Sequence, residues 1–145
     1  SMAHKTGAAF TGDHIIHGCA NAMYLGKVIQ FNARDERAKS RYAFIAKDVL
    51  HLAGETEDEL VEALVQKIRD LNDALDIPQG IKNYGKSGVK ADESIIDYEE
   101  FEAKKADVAA NAILDACTGS NPRIPTQEEM EQLLECVYTD TPVTF

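Results

Sequence analysis

Three histidines near the start, His4, His14 and His17, with Asp13 beside the second, are the residues whose types best suit chemistry. Imidazole nitrogens and a carboxylate together fit a divalent first-row ion such as iron or zinc. Taken bare, His14-x-x-His17 is weak, because neighbouring histidines are more often structural or solvent-exposed than ligating. Gly18 sharpens the signal: a ligand just before a buried helix is held by that helix, and glycine permits close approach. Asn21, one turn later, could hydrogen-bond a ligand or a backbone carbonyl, with a plain helix–helix contact as the equal alternative. His51 stands apart, at a helix end, as a surface or capping residue. Cys19 and His17 have the types of a thiol–imidazole pair, yet Cys19 lies in so apolar a run that it reads as packing. Met23 and Tyr24 read as core, and Asp97, Glu99, Glu100 and Glu102 as a solvated helix face.

The elements that position these residues are helical. Ser1 to Phe10 reads as a helix entered partway, with no capping signal before it. Thr11-Gly12-Asp13 is a loop or turn. Gly18 to Phe31 is apolar almost all round, the mark of a buried helix. A third helix fits about Glu36 to Leu52, with Tyr42, Ile45, Val49 and Leu52 on one side. Thr56 and Glu59 form a capping box, after which Leu60, Leu64, Ile68, Leu71 and Leu75 recur as one stripe until Pro78 ends the helix. Ile77 to Val89, with Gly80, Gly85 and Gly88, leaves room for a single helical turn at most. A fifth helix spans about Tyr98 to Ala116, burying Phe101, Val108, Ala112 and Ile113. A second capping box at Thr126 and Glu129 opens a last helix that buries Met130, Leu133, Leu134 and Val137. No stretch alternates with period two, so the expected fold class is all-α, a bundle of about six helices in a single domain over 1–145.

Bulk properties narrow the function. The formal net charge of the 145 residues is −10, a field that repels phosphate backbones and argues against nucleic acid. The apolar runs are too short to span a bilayer, and the start reads poorly as a secretion signal, so a cytoplasmic location is expected. Cys19, Cys117 and Cys136 cannot all pair and form no CxxC, which fits idle thiols in a reducing compartment. Neither GxGxxG nor GxxxxGK[ST] occurs, so these residues hold no nucleotide cradle.

The run His17-Gly18-Cys19-Ala20-Asn21-Ala22 resembles the HGxANA signature of the iron-containing alcohol dehydrogenases, and Tyr24 to Ala33 resembles its continuation. Ser1-Met2-Ala3-His4-Lys5-x-Gly7-Ala8 is similar in particular to the bifunctional aldehyde–alcohol dehydrogenases of fermentative bacteria. Arg41-Tyr42-Ala43-x-Ile45-Ala46, the Ile77-Pro78 turn and Cys117-Thr118-Gly119-x-Asn121-Pro122-Arg123 follow in that group's order. The likeness covers nearly the whole chain. Two departures stand beside it: the His4-to-His17 segment is a few residues longer than in many relatives, and Ile16 and Gly26 replace prolines often found there. Asp13 and His14 read first as a surface loop, with a divergent loop that brings them toward the metal as the alternative.

The resemblance implies a fragment, the later part of a helical lobe that normally follows a dinucleotide-binding lobe. It implies His17 as a metal ligand and His4 as a cleft residue near the reacting carbon that relays protons. The family's other ligands, an aspartate and two histidines, would lie upstream of Ser1. Iron(II), or zinc, and NAD are implied for the intact enzyme, with neither held stably by these residues alone, since a catalytic site needs about three protein ligands. The expected activity of the whole is reduction of acetaldehyde or a similar short aldehyde with NADH in fermentative metabolism, the isolated chain being inactive. Expected partners are the dinucleotide-binding lobe, the short aldehyde or alcohol, and further copies in a homo-oligomer, through apolar surface left on the first two helices. Two alternatives carry other functions: a helical assembly module serving oligomer or filament contacts, and a small metal-binding protein using Asp13, His14 and His17.

Overall fold

The most apolar stretch of the chain becomes its central helix. In the computed structural model, which describes residues 1–10 and 15–145, α2 (His17–Asn32) packs against α1 (Met2–Ala9), α4 (Glu57–Ala74) and α6 (Gln127–Thr139). Between these run α3 (Glu36–Phe44), continued by a π-helical stretch Ile45–Val49, and α5 (Tyr98–Ile113). Among the described residues no strand forms; one isolated bridge links Tyr84 to Lys90. The expected all-α class with six helices is what the described residues adopt.

Two apolar clusters share α2. The larger gathers Met2, Phe10, Ala20, Met23, Tyr24, Phe31, Phe101, Met130, Leu133, Leu134 and Val137. The smaller joins Ile29 to Ala43, Ala46, Leu60, Val61, Leu64 and Val65. Burying such side chains contributes roughly 1.5–3 kcal/mol each, far more than any helix propensity. Both capping boxes form, with Thr56 and Glu59, and Thr126 and Glu129, satisfying each other's amides.

The third helix departs from expectation. It loses its α-helical pitch after Phe44, and the wider π turn shifts every later side chain round the axis. Ala43 and Ala46 join the cluster with α4, while Ile45 and Val49, expected on one side with Tyr42 and Leu52, are exposed. The stripe on α4 also fails at its end, where Leu71 and Leu75 face outward and Asn72 is buried instead. Asn72 turns inward because its amide donates to the Ala22 carbonyl of α2. The glycine-bearing segment accommodates two short 3₁₀ turns rather than one, Ile81–Asn83 and Lys86–Gly88. His51 is exposed with φ of 55°, in the left-handed region just past the π-helical end, as a terminating residue. Among the described residues the exposed large apolar side chains include Phe44, Val49, Leu50, Leu71, Leu75, Leu114 and Ile124, with Ile16 and Leu25 beside or on the first two helices. Apolar surface is thus present at the first two helices, as expected, and more of it lies elsewhere.

Polar ties lock the two ends of α2. At its far end the Arg123 guanidinium lies 3.8 Å from the centre of the Phe31 ring. It donates to the Phe31 and Phe145 carbonyls and pairs with Glu129. Asn121 and Asn32 exchange amide hydrogen bonds of 2.7 and 3.1 Å. Part of the Cys117–Arg123 motif is thus a clasp.

On α2's flank, Lys27 and Arg69 both donate to Asp140, which closes α6 in a left-handed conformation with φ of 56°. Burial opposes the charged form of Asp140, but the hydrogen bonds from Arg69 and Lys27 outweigh it and hold the carboxyl below its usual range. A depressed acid contributes stability above the unfolded value of about 3.9 and loses it as pH falls through the lower folded value. Asp140→Asn tolerates the same backbone region but leaves the buried Lys27 without its counter-charge. We expect its urea midpoint at pH 7 to correspond to a loss of roughly 3 kcal/mol, with a flatter acid limb below about pH 4 than the parent shows. Parental stability at pH 7 would contradict this role.

Candidate functional site

The two site residues singled out in the sequence come together. His4 lies on α1 and His17 opens α2, and their rings stand 6.0 Å apart at 79°, edge to face. Both residues are exposed, on an otherwise packed pair of helices. The pairing follows from the fit of α1 on α2. Thr6 Oγ1 and Tyr24 Oη form a 2.5 Å hydrogen bond in the middle of that contact, and both residues are buried. Burial lifts the Tyr24 phenol well above its ordinary range, only partly offset by the Thr6 hydrogen bond. It stays protonated and the pair remains a neutral pin. Gly7 permits the approach, since a Cβ there would sit 3.1 Å from the Ile15 carbonyl.

The start of α2, like that of α1, has no side-chain cap of its own. Ile16 occupies the cap position without a side-chain hydrogen bond, and the first turn holds no acidic residue. The Ile16 amide instead donates to Tyr84 Oη at 2.8 Å, and Cys19 Sγ lies 3.7 Å from the Gly88 carbonyl as a weak donor. Cys19 is therefore a packing and anchoring residue rather than the partner of His17. Sequence reasoning missed Tyr84; a buried aromatic between two glycines was its sole signal. Asn21 is exposed and lines a cleft of about 190 Å³ with Ser1, Met2, Tyr24 and Cys117. Asp13 and His14 lie outside the described residues.

In kind, two exposed imidazoles on adjoining helices fit a divalent ion such as iron or zinc. In number they fall short. Among the described residues no group of three His, Cys, Asp or Glu side chains could hold a metal. An ion beside His17 would complete its coordination from beyond the described residues. No helix of the described residues is long and apolar enough to cross a membrane.

Comparison with known proteins places this geometry. Residues 1–138 match the C-terminal part of the Fe-containing alcohol dehydrogenase family, and the chain belongs to that family. It is 47% identical over 145 residues to the NADPH-dependent butanol dehydrogenase of Clostridium saccharobutylicum, covering all of this chain and 33% of that protein. It is 33% identical over 152 residues to the bifunctional aldehyde-alcohol dehydrogenase AdhE of Escherichia coli K12, covering 95% of this chain and 16% of that protein. The solved iron-containing alcohol dehydrogenase of Thermococcus thioreducens superposes with a TM-score of 0.70 at 28% identity, over 97% of this chain and 31% of that one. The chain thus spans a third or less of the length of these relatives, and the family's name carries iron for the whole enzyme.

The Thr6–Tyr24 pin makes a direct prediction. Tyr24→Phe keeps the ring but leaves the buried Thr6 hydroxyl without this partner, so thermal or urea unfolding should report a loss of about 1–2 kcal/mol. An unchanged midpoint would mean that the α1–α2 fit is set by apolar contact alone.

Proposed function

We propose that these residues are the later part of the helical lobe of an iron-dependent alcohol dehydrogenase that reduces a short aldehyde. In this reading His17 is one ligand of the metal and His4 is a proton-relaying residue beside the reacting carbon. The observation that carries it is the juxtaposition of the two exposed imidazoles at the start of α2, within a chain of this family. When bound, the metal supplies Lewis acidity that polarises the aldehyde oxygen. His17, fixed at the head of a packed helix, orients that ion. His4, whose ring centre is 6.0 Å from that of His17, is in this reading the imidazole that would pass a proton toward the oxygen that becomes the alcohol. A reduced nicotinamide nucleotide is the hydride donor, bound by a lobe outside this chain. The relatives named for aldehyde–alcohol chemistry support an aldehyde substrate, which we read as acetaldehyde or a similar short aldehyde, and the relative named for butanol and NADPH supports a slightly longer substrate and the phosphorylated nucleotide. Acetaldehyde and butyraldehyde, each with NADH and NADPH, are therefore the assays. The chain alone is inactive in this reading, and its setting is the cytoplasm of a fermenting cell.

In the intact protein, His17→Ala should abolish tight metal binding by elemental analysis together with aldehyde reduction. His4→Phe should retain the metal and lower kcat by about 10²-fold or more. Retention of stoichiometric metal by the His17→Ala protein would end this assignment.

A second reading, assembly, has one observation in its favour. Phe44, Ile45, Val49 and Leu50 are exposed within a single stretch around the π-helical segment, and exposed apolar surface of this kind marks contact with another chain. Val49→Asp with Leu50→Asp should then reduce the mass of the intact oligomer in light scattering. An unchanged mass excludes that stretch as an assembly contact.

A further inference from the structure

The segment between α4 and α5 has a task that the reaction outlined above does not assign. It runs through the two 3₁₀ turns and is held by its own backbone. The Gly85 amide donates to the Val89 carbonyl, Gly88 to Gly85, Ala91 to Asn83, and Ile95 to Tyr84. The Lys90 amide ties it to the Asp76 carbonyl at the end of α4. Ile81 and Tyr84 anchor it in the larger apolar cluster, with Tyr84 only 1% exposed. Gly85 is needed for this fold, because a Cβ there would meet the Val89 carbonyl at 2.6 Å.

This rigid segment grips one place, the uncapped start of α2. Tyr84 Oη accepts the Ile16 amide hydrogen at 2.8 Å, and Ile16 immediately precedes His17. Gly88, in the left-handed region with φ of 80°, packs so closely that a Cβ would lie 2.8 Å from Cys19 Sγ and 3.1 Å from Ile16 Cδ1. The residues on both sides of His17 are thus pinned from one direction, by groups distant in sequence, while the imidazole itself stays exposed. A helix whose first turn has no side-chain cap frays there, and fraying at this position would move the imidazole.

We propose that Tyr84 is a positioning residue for His17: its phenol oxygen fixes the backbone just before His17, and so sets how that imidazole presents to a divalent metal ion. The proposal rests on the reading of His17 as a ligand. A ligand held in place loses less freedom on binding, and removing such a support typically weakens metal affinity by about 10–100-fold. Tyr84 touches neither metal nor substrate in this account. It acts through the backbone.

The test is competition between a chelator and the intact protein loaded with zinc, a redox-silent ion of the same coordination habit. Tyr84→Phe, which retains the ring and loses the oxygen, should weaken zinc binding on the order of 10-fold. Tyr138→Phe removes a comparable buried hydrogen bond, from the phenol to the Ile96 carbonyl, and should leave zinc affinity unchanged. If Tyr84→Phe binds zinc as the parent does while His17→Ala loses it, positioning by Tyr84 is overturned and the ligand reading stands. If His17→Ala keeps its zinc, the ligand reading falls and the positioning role toward the metal falls with it. Hydrogen exchange on the unaltered protein gives a reading independent of any variant's folding. The Ile16 amide should be protected as well as that of Ala20, and fast exchange at Ile16 alone would overturn the proposal.

Discussion

A helix that begins without a cap has to be given its first turn by something else, and for α2 that constraint organises much of the chain. Its first residues are His17, Gly18 and Cys19, none of which can satisfy the free amides, and Ile16 before them contributes no side-chain acceptor. The missing stabilisation, typically about 1 kcal/mol for a good cap, is supplied by tertiary structure. Tyr84 accepts the Ile16 amide hydrogen, Gly88 closes on Cys19 and Ile16, and the Thr6–Tyr24 bond locks α1 alongside. An end held in this way keeps a polar, exposed side chain at a fixed place without surrounding it. That is the condition a ligand shared with another part of a protein requires.

The rest of α2 is held with comparable redundancy. Its middle carries the buried Lys27, whose charge is tolerable there because Asp140 faces it and Arg69 shares the load. Its C-terminal end is clasped by Arg123 and Asn121. Buried ion groups of this sort fix one arrangement more than they add net stability. Together with two apolar clusters, they leave α2 little freedom to slide or rotate. The acidic excess behind the net charge of −10 is carried largely on exposed helix faces and at helix starts, such as the cap Asp97 and the first-turn residues Glu57 and Glu128.

What could be read from the sequence follows from which interactions are local. Capping boxes join residues three apart, so Thr56–Glu59 and Thr126–Glu129 were legible, as were the helices they open. The apolar run of α2 was legible because nearly every side of it is covered. The outward turn of Ile45 and Val49 was not, because it goes with a π-helical stretch that no local pattern announces. Nor was the inward turn of Asn72, which depends on one carbonyl of a distant helix. His4 and His17 were singled out by type and resemblance, while their edge-to-face contact needed α1 and α2 in place. Tyr84 lies 68 residues from Ile16, and no local pattern connects them.

The proposed role of His17 is that of a metal ligand presented by a helix whose start is fixed from behind. Anomalous diffraction at the iron edge, on crystals of the intact protein with metal bound, tests it most directly. The expected result is a single strong peak about 2.1 Å from an imidazole nitrogen of His17, with His4 beside it and Tyr84 still bonded to the Ile16 amide. A peak held by other residues, with the His17 ring turned away from it, would contradict the account.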